Sequence, residues 1–303
     1  MNPVTRFAGI VPPVSSILKA DGSPDRAGMK LVIDHLIAAG VNGLFFLGTG
    51  GEFSQMSVTE RMRFADEAIQ LVDRRIPVLI GTGNPNTREA VELSRHAQQA
   101  GAEGIVVINP YYWQLTEANL LAYYAAVATA VTLPIILYNF PKLTGQDLHP
   151  ALVKTLADRH PNIVGIKDTI DSVAHLRDMI TTVKASHPHF SVFCGYDDHL
   201  LNTLLLGGDG AISASVNFAP ALSVALYQAV RTGDLAQAAR LHKTIVQLPR
   251  LYQIDSPFVN VVKEAMCLCG LDVSTYCLPP TQPLGESQRT QVRHILASAG
   301  LLS

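Results

Sequence analysis

Short apolar runs recur along the chain at residues 7–14, 43–48, 77–83, 104–110, 134–140, 163–168, 191–196 and 210–215, with helix-like segments between them. Each run has the length and the unbroken hydrophobicity of a strand covered on both faces. Eight strands alternating with helices in about 220 residues predict an α/β fold of the (β/α)8 TIM-barrel type, with a doubly wound open sheet as the alternative.

Three junctions repeat one pattern: Gly40-Val41-Asn42-Gly43-Leu44, Gly101-Ala102-Glu103-Gly104-Ile105 and Gly207-Gly208-Asp209-Gly210-Ala211. The first glycine suits a left-handed helix cap and the second a tight entry into the next strand, and reuse of one connection favours a symmetric barrel. Ser23-Pro24-Asp25 offers a helix cap with proline in the first turn, and Ser57-Val58-Thr59-Glu60 has the spacing of a capping box. After Ala219-Pro220 the strand rhythm stops, so residues 1–223 are expected to form the barrel and 224–303 a C-terminal helical extension.

Composition narrows the partner. With 303 residues, 48% hydrophobic and 16% charged, the chain suits a well-cored globular protein. Basic and acidic side chains number 23 and 25, which advertises no surface for nucleic acid or acidic lipid and leaves a small molecule as the expected partner. The N-terminal residues 1–7 lack the apolar core of a secretory leader, which makes a cytosolic location the expectation. The apolar stretch 120–140 is interrupted by Pro134 and diluted by Thr129, Thr132 and Asn139, so it reads as a helix followed by a strand and not as a membrane span. Cys194, Cys267, Cys269 and Cys277 lack metal or redox spacing and are expected to be reduced and mostly buried. His187 and His189 flank Pro188 with no further ligands nearby, so no metal is expected.

In a barrel of this kind reactive side chains gather at the C-terminal ends of the strands. Those ends are Gly48-Thr49-Gly50-Gly51-Glu52, Asn109-Pro110-Tyr111-Tyr112-Trp113, Tyr138-Asn139-Phe140-Pro141, Lys167-Asp168 and Gly195-Tyr196-Asp197-Asp198. Lys167 closes an apolar strand and must meet a polar cavity or a partner. Burial lowers the pKa of an amine and frees it to attack a carbonyl, whereas pairing with Asp168 or another carboxylate would make it structural. The glycine-rich turn exposes backbone N–H groups beside the Thr49 hydroxyl, a geometry for an anion, although a mere tight turn has the same sequence. Tyr138 is either a packed ring or a proton carrier. Tyr111 and Tyr112 are similarly open, and Trp113 suits a core or an interface. Asp197 and Asp198 fit helix caps or acceptors for a polyol.

Taken together, Gly48-Thr49-Gly50-Gly51-Glu52, Tyr138-Asn139-Phe140-Pro141 and Gly165-Ile166-Lys167-Asp168 resemble the dihydrodipicolinate synthase and N-acetylneuraminate lyase family of Schiff-base aldolases over nearly the whole chain. Within it, residues 48–56, 109–113, 138–141 with 143–148, and 165–173 are similar to the bacterial 2-keto-3-deoxy sugar-acid aldolases, above all those acting on 2-dehydro-3-deoxy-D-pentonate. The resemblance implies that Lys167 forms an imine with the C2 ketone, that Tyr138 moves the protons, and that Thr49 and Tyr112 complete a relay, with Tyr112 supplied by a neighbouring subunit of a homotetramer. It implies that Gly48, Thr49 and Gly50 hold the substrate carboxylate, that Asp197, Asp198 and Ile212 line the rest of the substrate site, and that no cofactor takes part. Three departures bear on the substrate. Leu143 stands where the synthases carry a carboxylate-binding arginine, and a leucine cannot form that bidentate pair even with Lys142 beside it. Gly50 replaces a second threonine, and Ala214 a serine of the sialic acid lyases.

Overall fold

A computed structural model of the chain describes residues 7–302. Residues 1–6, most of the segment expected to lack a leader, and Ser303 lie outside the described residues.

The eight apolar runs become strands β1 (Gly9–Ile10), β2 (Leu44–Phe46), β3 (Val78–Gly81), β4 (Gly104–Ile108), β5 (Ile135–Asn139), β6 (Ile163–Asp168), β7 (Ser191–Cys194) and β8 (Gly210–Ala211). All pair in parallel, each with its successor from β2 to β8, and β8 returns to β1. The ring closes just past β1, where Val14 N donates to Phe45 O (2.8 Å) and Phe45 N donates to Pro12 O (3.0 Å). Closure removes both sheet edges and with them the doubly wound alternative. Strand β1 is shorter than the expected 7–14 because Pro12 and Pro13 have no N–H to offer a ladder. Strand β8 is shorter than 210–215 because Ala214–Asn217 coils into a 3-10 turn, and the Ser215 backbone N–H is taken by Asp197.

Around the strands run α1 (Arg26–Ala38), α2 (Val58–Val72), α3 (Thr87–Ala100), α4 (Glu117–Ala130), α5 (Pro141–Thr144), α6 (Pro150–Arg159), α7 (Val173–Val183), α8 (Leu200–Leu205) and α9 (Pro220–Arg231). The chain ends in α10 (Leu235–Ile245), α11 (Val259–Leu268) and α12 (Glu286–Ser298). Residue 224, the expected start of the helical extension, falls inside α9, which packs on β1, α8 and α10. No helix of the described residues is long and apolar enough to cross a membrane.

The local signals are realised with two corrections. The first glycines, Gly40, Gly101 and Gly207, have φ of 82°, 94° and 92°, the left-handed caps expected of them. The glycines entering the strands serve close approach more than turning: a Cβ on Gly104 would lie 3.1 Å from Pro134 O, and one on Gly210 would lie 1.9 Å from Gly9 O. Ser57 and Glu60 form the capping box of α2. Helix α1, however, is capped by Asp25, which accepts from Ala27 N and Gly28 N, while Ser23 turns back to Asp21. Pro24 holds the residue before it extended, so the helix starts later than Ser23.

One buried pair joins the extension to the barrel mouth. Lys263 of α11 donates to Glu52 Oε1 (2.5 Å) and to Tyr276 O (2.6 Å), and Glu52 Oε2 accepts from Leu278 N (2.7 Å). Both side chains are fully enclosed. Removing one partner strands the other charge in a dry interior at a cost of about 3–5 kcal/mol. Lys263→Met is therefore expected to lower the calorimetric unfolding midpoint by on the order of 5–10 °C; an unchanged midpoint would show that the pair holds nothing together.

Candidate active site

Strands β5 and β6 end side by side with Tyr138 opposite Lys167 and Asn139 opposite Asp168. Side chains alternate across a sheet, so Tyr138 and Lys167 share the barrel interior, while Asn139 and Asp168 face the helical layer. Lys167 is 3% exposed, and its Nζ sits 4.2 Å from the Tyr138 ring centroid and 5.3 Å from that of Phe45.

The structural alternative for this lysine fails on its partner. Asp168 is committed to His175 Nδ1 (2.8 Å) and Asn139 Nδ2 (2.9 Å), and among the described residues Lys167 makes no ion pair. Burial drives the Lys167 pKa down to about 7, against the opposing pull of Asp197 and Cys194. Burial also raises the Cys194 thiol to about 12, so that group is neutral at physiological pH and leaves Asp197 as the opposing charge. Near neutrality much of the amine is thus unprotonated and nucleophilic.

The Tyr138 hydroxyl lies 3.1 Å from Thr49 Oγ1. Burial raises the phenol to about 12, only partly offset by the hydroxyls of Thr49 and Thr169, so it rests as a protonated donor. Its ring is fixed edge-on by Phe45 and stacked by Phe140, centroids 6.4 and 6.1 Å away. A phenol held this firmly beside an amine can pass a proton without first searching for its position.

Thr49–Gly51 forms a single 3-10 turn closed by Gly51 N to Gly48 O (2.9 Å) and Glu52 N to Thr49 O (3.2 Å). Those bonds use the later amides, and Thr49 and Gly50, whose own N–H groups they leave unused, both line the cavity. Gly48 does not line the cavity. A Cβ there would meet the Phe45 ring at 2.7 Å, so packing alone requires a glycine at this position.

Thr49, Gly50, Tyr138, Lys167 and Ile212 all open onto one cavity of about 650 Å³. Its outer end carries Lys142, Leu143, Asp171, Tyr196 and Asp198. The two adjacent aspartates separate in role. Asp197 is buried and accepts from Ser215 N (3.1 Å), the Ser215 hydroxyl and Tyr252 OH (2.6 Å), so it ties β7 to the turn after β8 and to the extension without lining the cavity. Asp198 does line it, and its buried Oδ1 has no hydrogen-bond partner among the described residues. Burial raises the Asp198 carboxyl, with His199 pulling the other way. Neither aspartate caps a helix with its side chain.

Tyr112 is not brought to the site. It is 90% exposed, with φ of 88°, and stands edge-on to Trp113, itself 73% exposed, so the tryptophan is not core. Tyr111 packs on Phe53. His187 bonds Asp158 across the surface, and no group of three or more metal-binding side chains is gathered among the described residues. All four cysteines are free.

Sequence reasoning placed Tyr196 at a strand end but gave it no role, and it missed Asp171 and Tyr252, along with the cluster of Asn139, Asp147 and His175 around Asp168. The last was foreshadowed by alternation: if Tyr138 and Lys167 point inward, the polar residues that follow each must find partners on the outer side.

The sequence profile of the dihydrodipicolinate synthetase family matches residues 6–299. The chain is 66% identical over 290 residues to the Escherichia coli K12 protein named "Putative 2-dehydro-3-deoxy-D-gluconate aldolase YagE", covering 96% of each. It is 59% identical over 297 residues to "Probable 2-dehydro-3-deoxy-D-pentonate aldolase YjhH" of the same organism, covering 98% of this chain and 99% of that one. The crystal structure of YagE in complex with pyruvate superposes with a TM-score of 0.96 at 65% identity, over 97% of this chain and 99% of that one. Dihydrodipicolinate synthase from Acinetobacter baumannii, complexed with pyruvate, superposes at 0.90 with 35% identity, over 98% and 100%. A lysine-bearing barrel of this sequence and shape belongs to the dihydrodipicolinate synthetase family.

Proposed function

We propose that this protein is a class I aldolase that reversibly cleaves a 2-keto-3-deoxy pentonate, or the related hexonate, to pyruvate and glycolaldehyde or glyceraldehyde. The observation that carries the reading is Lys167: a buried amine with a pKa of about 7, in no ion pair among the described residues, beside a phenol hydrogen-bonded to a threonine in an open cavity.

The Lys167 amine adds to the C2 ketone and expels water to give a protonated imine. Tyr138, having passed its own proton through Thr49 to the departing water as the imine formed, takes the proton from the C4 hydroxyl as a phenolate. The C3–C4 bond breaks, its electron pair moves into the imine to form an enamine, and the C4 oxygen becomes the aldehyde. Tyr138 returns the proton to C3, and water releases pyruvate and the amine. The N–H groups of Thr49 and Gly50 hold the carboxylate, and Ile212 packs on the pyruvate half. Asp198, at the cavity wall, accepts a hydroxyl of the tail. Leu143 at the cavity rim offers an incoming second carboxylate nothing, which disfavours dihydrodipicolinate synthesis.

Exposed Tyr112 completes the relay only when a second copy of the chain supplies it, in a homotetramer whose interface uses Tyr112 and Trp113. We place the enzyme in the cytosol.

A panel of 2-keto-3-deoxy pentonates and hexonates assayed for pyruvate release tests the reading. Release from at least one is expected, unaffected by chelators. A saturated semialdehyde without pyruvate would replace cleavage by dehydration, and binding without turnover would make the protein a sugar-acid receptor.

A further inference from the structure

Strand β6 carries one residue more than β5 needs. Ile135 lies opposite Ile163, yet Ile136 lies opposite Gly165, so Val164 is a bulge. Without it the count would set Lys167 opposite Asn139 and turn the amine toward the helical layer, because a one-residue slip exchanges the two faces of a strand. The bulge therefore delivers Lys167 to the side of Tyr138. It also interrupts the ladder, so the register beyond it needs another support.

That support lies on the outer face, one residue past the reactive pair. Asn139 Nδ2 donates to Asp168 Oδ1 (2.9 Å) and Asp147 Oδ1 (2.7 Å), and Asn139 Oδ1 accepts from Leu148 N (3.0 Å). His175, in the first turn of α7, closes the ring with Nδ1 at 2.8 Å from Asp168 Oδ2 and Nε2 at 3.2 Å from Asp147 Oδ2. Burial opposes a charged imidazole here, but hydrogen bonds and charge from Asp147 and Asp168 prevail and raise it to about 10. His175 is thus a cation at neutral pH, held between Asp147 and Asp168, and His149 is the other histidine close enough to act on Asp147. None of the four side chains lines the cavity.

We propose that His175 is a positioning residue: by bridging Asp168 and Asp147 it clamps the bulged register of β5 and β6 that sets Lys167 beside Tyr138. The inference rests on the reading of Lys167 as the reactive amine. A purely structural cluster would affect stability alone, whereas a register clamp also governs the environment of Lys167.

The variants His175→Gln and His175→Gln with Asp168→Asn separate the two. In the single variant the glutamine oxygen faces the Asp168 carboxylate. In the double variant the new amide at position 168 can donate to that oxygen while the glutamine amide still donates to Asp147, which restores the bridge. Competitive acetylation of Lys167 by acetic anhydride, followed by peptide mass analysis from about pH 5 to about pH 10, reads its titration against the Tyr138, Phe45, Cys194 and Asp197 surroundings. The single variant is expected to move the midpoint upward by about half a pH unit or more as the strand ends loosen and water enters, and the double variant to restore it. In the pyruvate-release assay the single variant is expected to lose about tenfold or more in kcat with less than about a threefold change in KM, again recovered in the double variant. A wild-type titration and kcat in His175→Gln with only a lower unfolding midpoint would overturn the proposal, as would a loss that the second substitution does not repair. Acetylation requires no turnover, so a wild-type protein that releases no pyruvate would refute the aldolase reading while the labelling still decides the role of His175.

Discussion

Lys167→Ala is expected to abolish pyruvate release, by on the order of 10⁴-fold or more, because the substitution removes the covalent route itself. No neighbouring group replaces it: Cys194 is a neutral thiol and Tyr138 a protonated phenol. The same burial that activates the amine gives wild-type activity a pH signature. With the Lys167 pKa near 7, kcat/KM is expected to rise with pH through about that value as the ammonium loses its proton. Stability moves in step. Between about 7 in the folded chain and the ordinary 10.5 of an unfolded lysine, the unfolded state binds more protons, so stability rises with pH across that window and the burial penalty stands in full below it. Lys167→Met removes an amine that is costly to protonate and is expected to unfold at a higher temperature than wild type at pH 6. Calorimetry and pyruvate assays on the two variants check these outcomes together; a Lys167 variant that turns over normally would end the imine mechanism.

Tyr138→Phe comes second in size, with an expected loss of about 10²–10⁴-fold in cleavage. The ring contacts with Phe45 and Phe140 survive the change, and the lost hydrogen bond to Thr49 costs about 1 kcal/mol. Fold and pyruvate binding should therefore persist. Stopped-flow measurement of imine formation against steady-state cleavage separates the steps: the variant is expected to form the imine yet fail to break C3–C4. Equal loss of both would assign Tyr138 to positioning the lysine, and loss of neither would remove it from the chemistry.

The barrel was legible because its rhythm is local. Each strand declares itself by an unbroken apolar run, and Gly40, Gly101 and Gly207 mark helix ends through a backbone angle that other residues resist. Lys167 and Tyr138 were legible for a related reason: polar groups ending such runs need either a cavity or polar partners, and Asn139 and Asp168, one residue on, took the partners. The bulge at Val164 was not, because every residue of 163–168 is buried and alternation carries no signal where both faces are covered. The separate roles of Asp197 and Asp198 depend on Ser215 and Tyr252, far along the chain, and the Glu52–Lys263 pair spans 211 positions. Gly48 is a glycine because of the Phe45 ring, a contact that only the folded turn creates.

The central claim is that Lys167 forms an imine with the keto group of pyruvate. Borohydride reduction of the native protein in the presence of pyruvate, followed by peptide mass mapping, tests it most directly. The account predicts one reduced pyruvyl adduct, on Lys167, that is absent without pyruvate and absent in Lys167→Ala; no adduct, or an adduct on another lysine, would contradict it.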